Sequence, residues 1–323
     1  MKGLVIKSTG SSYIVRTDDG LNVECHIKGN FRIRGIRSTN PVAVGDFVEV
    51  QTLADGTNWI KEIEPRRNYI IRRATNLSKE SQILATNLDQ VALVVTVNHP
   101  VTSTTFIDRF LATCEAYRVR AILIFNKIDL LTDEELAQLA ELRALYESIG
   151  YETLAISAKD LTGEAGPELL AQSGLLSELQ GRVTLLSGNS GVGKSTLLNA
   201  LFGREMTRTG KISDAHDKGM HTTTFSEMYF LEMENGEWTM KNGAVIDTPG
   251  IKGFGSVDMT KEEVSHYFRD IFAVSHDCRF NNCTHTNEPG CAVQQALITG
   301  DIAISRYESY LSLLGDCDES KYR

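Results

Sequence analysis

One stretch of eight residues, 188–195, constrains the fold of this chain more than any other. It reads Gly-Asn-Ser-Gly-Val-Gly-Lys-Ser and fits the G-x-x-x-x-G-K-[ST] pattern of a phosphate-binding P-loop. The apolar run Val183–Leu186 predicts a buried strand before it, and Ser195–Phe202 predicts a helix after it. Glycines let backbone N–H groups turn toward an anion at a helix N-terminus. The stretch therefore predicts a phosphate site in an α/β domain. The alternative is a glycine-rich turn with a chance lysine, which the predicted strand and helix on either side disfavour.

Two side chains of this loop have expected chemical roles. Lys194 is expected to reach the β- and γ-phosphates of a nucleotide and to act in catalysis, and the Ser195 hydroxyl is expected to ligate Mg²⁺. The residues expected to contact the nucleotide here are Gly188, Asn189, Ser190, Gly191, Val192, Gly193, Lys194, Ser195 and Thr196.

Two motifs upstream of the P-loop predict which base is bound. Asn126, Lys127 and Asp129 form N-K-x-D after the apolar run 121–125. A carboxylate at Asp129 can accept from both N1–H and the N2 amine of guanine, whereas adenine lacks that pair of donors. Ser157, Ala158 and Lys159 form the companion S-A-K motif, in which the Ala158 N–H is expected to donate to guanine O6. Together the motifs predict GTP and GDP as ligands.

The remaining nucleotide motif lies downstream. Residues 247–250 have the D-x-x-G form, in which Asp247 belongs to the second shell of the metal and the Gly250 N–H meets the γ-phosphate. Before it, His221 and the threonines 222–224 predict a mobile switch loop, in which Thr222, Thr223 or Thr224 closes on Mg²⁺. Base motifs normally follow a P-loop, so this order predicts a circular permutation. The permutation makes the D-x-x-G strand the exit from the domain and is expected to couple nucleotide state to the tail.

The position after D-T-P-G bears on the rate of hydrolysis. Many GTPases carry a glutamine there that orients water, and this chain has Ile251. An apolar side chain cannot align water, so intrinsic hydrolysis is expected to be slow. His221 is the candidate for supplying the missing group; the alternative is that it packs or contacts a partner.

The N-terminal 65 residues predict a small β-barrel. Five short alternating runs separated by turn signals suit an OB-fold first and an SH3-like barrel second. The segment Lys28–Arg37 carries four cations between apolar residues. It is either a loop that contacts RNA or a solvated strand edge. The net charge of the chain is −9, but residues 1–73 hold 12 Lys and Arg against 8 Asp and Glu, a basic module on an acidic body.

The C-terminal region predicts a metal site. Cys278, Cys283, His285 and Cys291 form a Cys₃His set that suits one structural, tetrahedral Zn²⁺. His276 is an alternative to His285, although the spacing favours His285, and the competing interpretation is buried cysteines without a metal. A tail of roughly 70 residues has little core of its own, so a metal is expected to stabilise it.

Composition and length complete the domain organisation. The 323 residues contain no apolar run of membrane-spanning length, and the charged start does not resemble a signal peptide, so a cytoplasmic protein is expected. We predict a multidomain chain with an OB-fold-like β-barrel (1–68), a linker (69–85), a circularly permuted α/β P-loop GTPase domain (86–254) and a mainly α zinc-binding module (255–323).

Taken together, the motifs and their order resemble the RsgA family, also called YjeQ, over the whole chain. The resemblance implies a GTPase stimulated by the small ribosomal subunit, with slow intrinsic hydrolysis, acting in late maturation of that subunit. The implied partners are that subunit and its rRNA, with no membrane, and nothing requires more than a monomer. Two other classes are a nucleotide-gated RNA-binding adaptor in which hydrolysis is incidental, and a signalling GTPase with a protein partner, which the OB-like barrel disfavours.

Overall fold

A computed structural model describes residues 1–9, 12–27, 41–73, 81–203, 226–231, 242–247 and 259–319. Its main sheet has eleven strands, of which five belong to an N-terminal barrel and six to an α/β domain. Among the described residues, no helix is long and apolar enough to cross a membrane.

The N-terminal strands close into a barrel. They are β1 (Lys2–Ser8), β2 (Tyr13–Thr17), β3 (Asn22–Ile27), β4 (Phe47–Thr52) and β5 (Asn58–Ile63). Their order is β1-β2-β3-β5-β4, β4 pairs back onto β1, and β3 and β5 are parallel. This is the topology of the OB-fold, the first of the two predicted barrels. The alternation is clear in β2, where Tyr13, Val15 and Thr17 are buried and the residues between them are half-buried.

The α/β domain is a doubly wound sheet. Its strands are β8 (Gln90–Val95), β9 (Arg120–Phe125), β10 (Glu152–Ala155), β11 (Val183–Ser187), β12 (Glu227–Phe230) and β13 (Ala244–Asp247). Their order is β10-β9-β8-β11-β13-β12; only β12 of these six is antiparallel to its neighbour β13. Every residue of β8 is buried, as expected for a strand covered on both faces.

Helices cover both faces of this sheet. They are α1 (Thr104–Ala116), α2 (Asp133–Ser148), α3 (Gly166–Gln172), α4 (Leu175–Leu179) and α5 (Lys194–Phe202). Leu93 of β8 shares a core with α1 and α2, whereas its neighbour Val94 shares a core with α3, α4 and α5. Successive side chains of a strand point to opposite faces, so α1 and α2 lie on one face and the other three helices on the other. The base motifs and the P-loop follow the carboxyl ends of parallel strands in this arrangement.

The segment expected to be a linker, 69–85, contains regular structure. Strands β6 (Tyr69–Arg73) and β7 (Ser81–Thr86) pair as an antiparallel two-stranded ribbon. Beside it lies a buried ion pair between Arg66, which follows β5 of the barrel, and Asp46, which precedes β4. Arg66 donates from Nε to Asp46 Oδ1 and from a terminal nitrogen to Oδ2, both at 2.7 Å, and Thr86 Oγ1 donates to Asp46 Oδ1 at 2.9 Å. The Thr86 hydroxyl therefore joins this ion pair of the barrel to β7 of the ribbon. The predicted domain boundaries remain predictions.

The C-terminal module is mainly α, as predicted, and docks on α1. Its helices are α6 (Lys261–Val264), α7 (Arg269–Ser275), α8 (Ala292–Thr299) and α9 (Ile304–Glu319). Arg306 of α9, only 1% exposed, lies 2.8 Å from Asp108 of α1 and 2.8 Å from Asp270 of α7. Tyr146 of α2 also donates to Asp108, at 3.0 Å. The module is thus joined to the α/β domain by a buried ionic network.

Breaking this network should cost more than breaking a neighbouring exposed ion pair. We expect Arg306→Ala to lower the free energy of unfolding by about 3–5 kcal/mol, because it leaves buried carboxylates without their partner. The matched control is Arg109→Ala. Arg109 of α1 also pairs with an aspartate of α9, Asp316, but both side chains are roughly a third exposed or more. Its loss should therefore cost at most about 1 kcal/mol. Chemical denaturation of both variants tests this, and equal losses would contradict it.

Candidate functional site

The P-loop residues 188–195 connect β11 to α5. Gly188, Gly191 and Gly193 have positive φ angles of 144°, 82° and 97°. A Cβ atom at Gly188 would collide with the Val94 carbonyl, and one at Gly193 would collide with the Asn126 amide. Glycine is therefore required both for the backbone conformation and for the close approach of neighbouring strand ends. Ser195 and Thr196 lie half-buried in the first turn of α5, where a helix N-terminus favours an anion.

Lys194 closes over this loop. Its Nζ donates to the carbonyls of Gly188 and Asn189, both at 2.7 Å. Burial lowers the pKa of the ammonium to about 8, and the nearby Asp247 carboxylate opposes that shift. Asp247 is buried at the end of β13, in register with Leu186 of β11. The P-loop lysine and the D-x-x-G aspartate are therefore brought together, as the motifs predict.

Asn126 ties the base motifs to the P-loop. The side chain is 2% exposed; its Nδ2 donates to the Val192 carbonyl and its Oδ1 accepts from the Ala158 N–H, both at 2.8 Å. One amide thus holds three loops at the carboxyl edge of the sheet. The Ala158 N–H, expected to donate to guanine O6, donates here to Asn126. A base that takes this N–H would share it with Asn126 or replace Asn126 as its partner.

The Asp129 carboxylate is oriented by the companion motif. Ser157 Oγ donates to Asp129 Oδ1 at 2.9 Å, and Lys159 Nζ lies 3.9 Å from Oδ2. Lys127 adopts a left-handed backbone conformation (φ 65°), and its Nζ donates to the His99 carbonyl at 2.6 Å. Burial lowers the Lys127 pKa, while Asp129 raises it. The N-K-x-D and S-A-K residues therefore surround one carboxylate.

Some predicted site residues lie outside the described part of the chain. These are His221, Thr222, Thr223, Thr224 and Gly250, together with the basic segment Lys28–Arg37. Their roles remain predictions.

The four predicted metal ligands form one cluster. The ligand atoms of Cys278, Cys283, His285 and Cys291 all lie within 4.8 Å of one another. His285 Nδ1 is 3.6 Å from Cys278 Sγ and 3.5 Å from Cys291 Sγ, and these two sulfurs are 3.9 Å apart. Tetrahedral Zn²⁺ with bonds of about 2.3 Å to sulfur requires separations of this size. The alternative ligand His276 instead packs against the Phe272 ring, with the centroids 5.0 Å apart.

The residues that hold this cluster were not predicted. Glu288 accepts from the N–H groups of Thr284 and Thr286 at 2.7 and 2.9 Å. Burial raises the pKa of its carboxyl, but a hydrogen bond from the Thr284 hydroxyl, at 2.6 Å, and these backbone hydrogen bonds outweigh burial and bring the pKa to about 2. Tyr307 and Tyr310 of α9 donate to the carbonyls of His285 and Thr284, at 2.7 and 2.6 Å. The sequence gives no signal for them, since no fixed spacing links these residues to the cysteines.

The fold and the site together define a class of protein. The chain is a circularly permuted P-loop GTPase, because the guanine-reading motifs precede the phosphate loop while all three lie at the same edge of one sheet. It belongs to the RsgA GTPase family, whose profile matches residues 63–257, and the profile of the RsgA N-terminal domain matches residues 2–60.

Relatives and solved structures agree with this assignment. The chain is 57% identical to "Small ribosomal subunit biogenesis GTPase RsgA 2" of Bacteroides thetaiotaomicron, over 100% of this chain and 99% of that one. It is 58% identical to the RsgA protein of Bacteroides fragilis, with the same coverage. The crystal structure of YjeQ from Thermotoga maritima matches with 31% identity and a TM-score of 0.70, over 98% of both chains. YloQ, "a circularly permuted GTPase", matches with 30% identity and a TM-score of 0.71, over 100% of this chain and 96% of that one.

Proposed function

We propose that this GTPase acts in late maturation of the small ribosomal subunit, that the subunit stimulates its hydrolysis of GTP, and that hydrolysis drives its release. The observation that carries the proposal is a guanine site built into the same sheet as an OB-fold barrel. OB-folds commonly bind oligonucleotides, and the relatives are named for biogenesis of this subunit. We place the protein in the cytoplasm, acting as a monomer that contacts rRNA through the barrel and the C-terminal module.

Within the proposed site, each described residue has a defined task. The P-loop backbone and α5 N-terminus hold the phosphates, and Lys194 stabilises charge on the β- and γ-phosphates. Asp129, oriented by Ser157, accepts from guanine, while Asn126 keeps the base loops against the P-loop. We assign the Ser195 hydroxyl as a ligand of Mg²⁺ and Asp247 as a residue of the second shell of the metal. When bound, the ion would neutralise charge that develops on the phosphates. One of Thr222–Thr224 and the Gly250 N–H would complete the site.

The C-terminal cluster fits one structural Zn²⁺. Three cysteines and one histidine supply four ligands and leave no position open for substrate, as structural rather than catalytic zinc sites do. Glu288, which accepts from the Thr284 N–H, and Tyr307 and Tyr310, which donate to loop carbonyls, fix the loop that carries His285. We therefore assign this ion to holding the module together.

Turnover of GTP with and without purified small subunits tests the proposal. We expect slow hydrolysis by the protein alone and a large increase on addition of small subunits, but not of large subunits. Equal rates in all three conditions would exclude the proposed function. If a non-hydrolysable GTP analogue did not hold the protein on the subunit, hydrolysis would not be the release step.

His221 is the proposed group that compensates for Ile251. Replacing His221 by alanine is expected to lower subunit-stimulated turnover by about 10²-fold, the contribution of one positioned polar group. GTP affinity, measured separately, should change little. The matched control is His216→Ala, a second histidine in the same stretch of sequence. Unchanged turnover in the His221 variant would assign that residue to packing or partner contact.

Lys194 should give GTP binding a defined pH dependence. Its pKa of about 8 is lowered by burial, and a bound phosphate favours the protonated form. The affinity should therefore be constant well below pH 8 and fall as the pH rises through it, becoming about tenfold weaker at pH 9 than at pH 7. Titration with a fluorescent GTP analogue measures this. Lys194→Arg is the control because arginine keeps its charge and should remove the slope; equal slopes would contradict the assignment.

A further inference from the structure

Strand β12 is shared between the barrel and the GTPase sheet. It pairs with β13 on one side and with β1 of the barrel on the other. Glu227 is paired on both sides: it lies opposite Asp247 on β13 and opposite Lys7 on β1. Neighbouring strands are about 4.8 Å apart, so the D-x-x-G aspartate lies only two strands, or about 10 Å, from the barrel.

Glu227 has a charged residue on each side, Lys7 on β1 and Asp247 on β13. Its Oε2 is 2.9 Å from Lys7 Nζ, and both side chains are about one third exposed. Side chains of residues directly opposite on antiparallel strands share a face, so the side chains of Glu227 and Asp247 lie on the same face of the sheet. The Tyr229 hydroxyl donates to Glu227 at 3.2 Å. The pKa of Tyr229 is raised by burial first and then by the charges of Glu227 and Asp247. Glu227 therefore lies between its ion-pair partner Lys7 on β1 and Asp247 on β13.

Apolar packing makes the junction between barrel and sheet continuous. Phe230 of β12 is 5% exposed, and the Arg16 guanidinium of β2 lies 4.8 Å from its ring centroid. Leu4 of β1 belongs to the same core cluster as Met228 of β12 and Ile246 of β13. The backbone adds one hydrogen bond, from Ser8 N–H to the Ser226 carbonyl at 3.2 Å. A displacement of β12 or β13 would therefore be transmitted to β1.

The other attached module contacts a different part of the domain. Ion pairs join the C-terminal module to α1, among them Arg306 with Asp108 and Arg269 with Glu115. Arg306 also pairs with Asp270 of its own module. Helix α1 connects β8 to β9, on the base-reading side of the sheet. The sequence suggested that the D-x-x-G strand reports nucleotide state to the tail that follows it. Residues 248–258, which link that strand to the tail, lie outside the described part of the chain, so this coupling stays a prediction. The described contacts join the same strand, through β12, to the barrel.

We propose that the barrel is coupled to the bound nucleotide through Glu227, so that GTP at Asp247 and RNA on the barrel change each other's affinity. A triphosphate and a diphosphate place different charge beside Lys194 and Asp247. The field at Glu227 changes accordingly, and with it the pairing of Glu227 with Lys7 and the stability of β1. Thermodynamic linkage makes the effect reciprocal. This inference rests on the proposed function, which supplies GTP and RNA as the two ligands.

Hydrogen exchange of the full-length protein tests the coupling without ribosomes. Amides of β1 and β2 are compared with saturating GDP and with a saturating non-hydrolysable GTP analogue. In the wild type their exchange rates should differ by about fivefold or more between the two nucleotides. In Glu227→Gln, and equally in Lys7→Gln, this difference should disappear while both nucleotides still bind.

A matched carboxylate serves as control. Glu64 also pairs with a lysine of β1, Lys2 at 2.7 Å, but Lys2 lies at the other end of β1, where this strand pairs with β4 and not with β12. Glu64→Gln should keep the nucleotide-dependent difference. The inference is overturned if wild-type β1 exchanges equally in both nucleotide states, or if either Glu227→Gln or Lys7→Gln retains the difference. Those outcomes would leave the proposed function, hydrolysis of GTP stimulated by the small subunit, unaffected. A wild-type protein that binds neither nucleotide would overturn the proposed function itself.

Discussion

Replacing Asp129 by asparagine is expected to weaken GTP binding by about 10²- to 10⁴-fold. The two hydrogen bonds that guanine donates to this carboxylate go to a charged acceptor and are worth about 3–6 kcal/mol together. An asparagine amide offers one oxygen and places N–H donors against N–H donors of the base. The structure supports a specific role, because Ser157 holds the carboxylate at 2.9 Å in a loop that Asn126 fixes against the P-loop. Affinities for GTP and ATP, measured by competition, give the result.

A gain of function makes this test sharper. Xanthine carries a carbonyl where guanine carries the N2 amine, so the Asp129→Asn variant should bind xanthosine triphosphate better than the wild type does. Asp160→Asn is the matched control, since Asp160 is an exposed aspartate directly after the S-A-K motif. It should leave GTP affinity unchanged. An Asp129→Asn protein with unaltered preference among the three nucleotides would show that Asp129 does not read the base.

Loss of the metal ligands is expected to unfold the C-terminal module. Binding of structural zinc is worth about 10–16 kcal/mol in small zinc domains, and here four ligand atoms within 4.8 Å of one another form the centre of a small core. Cys283→Ser should therefore abolish bound zinc and make the residues after 259 sensitive to protease. Metal content per chain and the positions of proteolytic cleavage measure both effects.

Cys317→Ser is the control for this prediction. Cys317 lies on α9, its Sγ donates to the Leu313 carbonyl, and it is outside the cluster. Its replacement should leave the zinc content and the protease resistance unchanged. If Cys283→Ser kept one zinc ion per chain and an intact module, the prediction that Cys283 binds a zinc ion that stabilises this module would be wrong.

The nucleotide site was largely predictable because its determinants are local. Positive φ angles favour glycine at 188, 191 and 193, and close contacts require it at 188 and 193, and those requirements leave a pattern in a short stretch of chain. The N-K-x-D and S-A-K motifs follow adjacent parallel strands, so their meeting at one edge follows from the sheet order. The Cys₃His spacing likewise predicts a single ion site. In each case the chemistry restricts the residue type at a fixed spacing.

The supporting contacts were not predictable in the same way. Glu288, Tyr307 and Tyr310 hold the His285 loop, but glutamates and tyrosines are common and their spacing from the ligands carries no pattern. Arg306 and Asp108 are far apart in the chain and become a buried pair only when α9 docks on α1. The sequence predicted a linker at 69–85 because this stretch lies between two modules and shows little hydrophobic alternation around Ala74–Ser81, whereas β6 and β7 pair as a ribbon.

The sequence by itself determined the class of this protein: a permuted guanine site, an N-terminal barrel and a cysteine-rich tail follow from residue types at short, fixed spacings. Only the tertiary structure decided how these parts are joined. The pairing of Lys7 with Glu227 crosses more than two hundred residues, and a single register decides which side chain faces Asp247. Long-range strand pairing depends on the packing of both faces rather than on local pattern. The connection between the barrel and the D-x-x-G strand β13 is therefore a property of the fold alone.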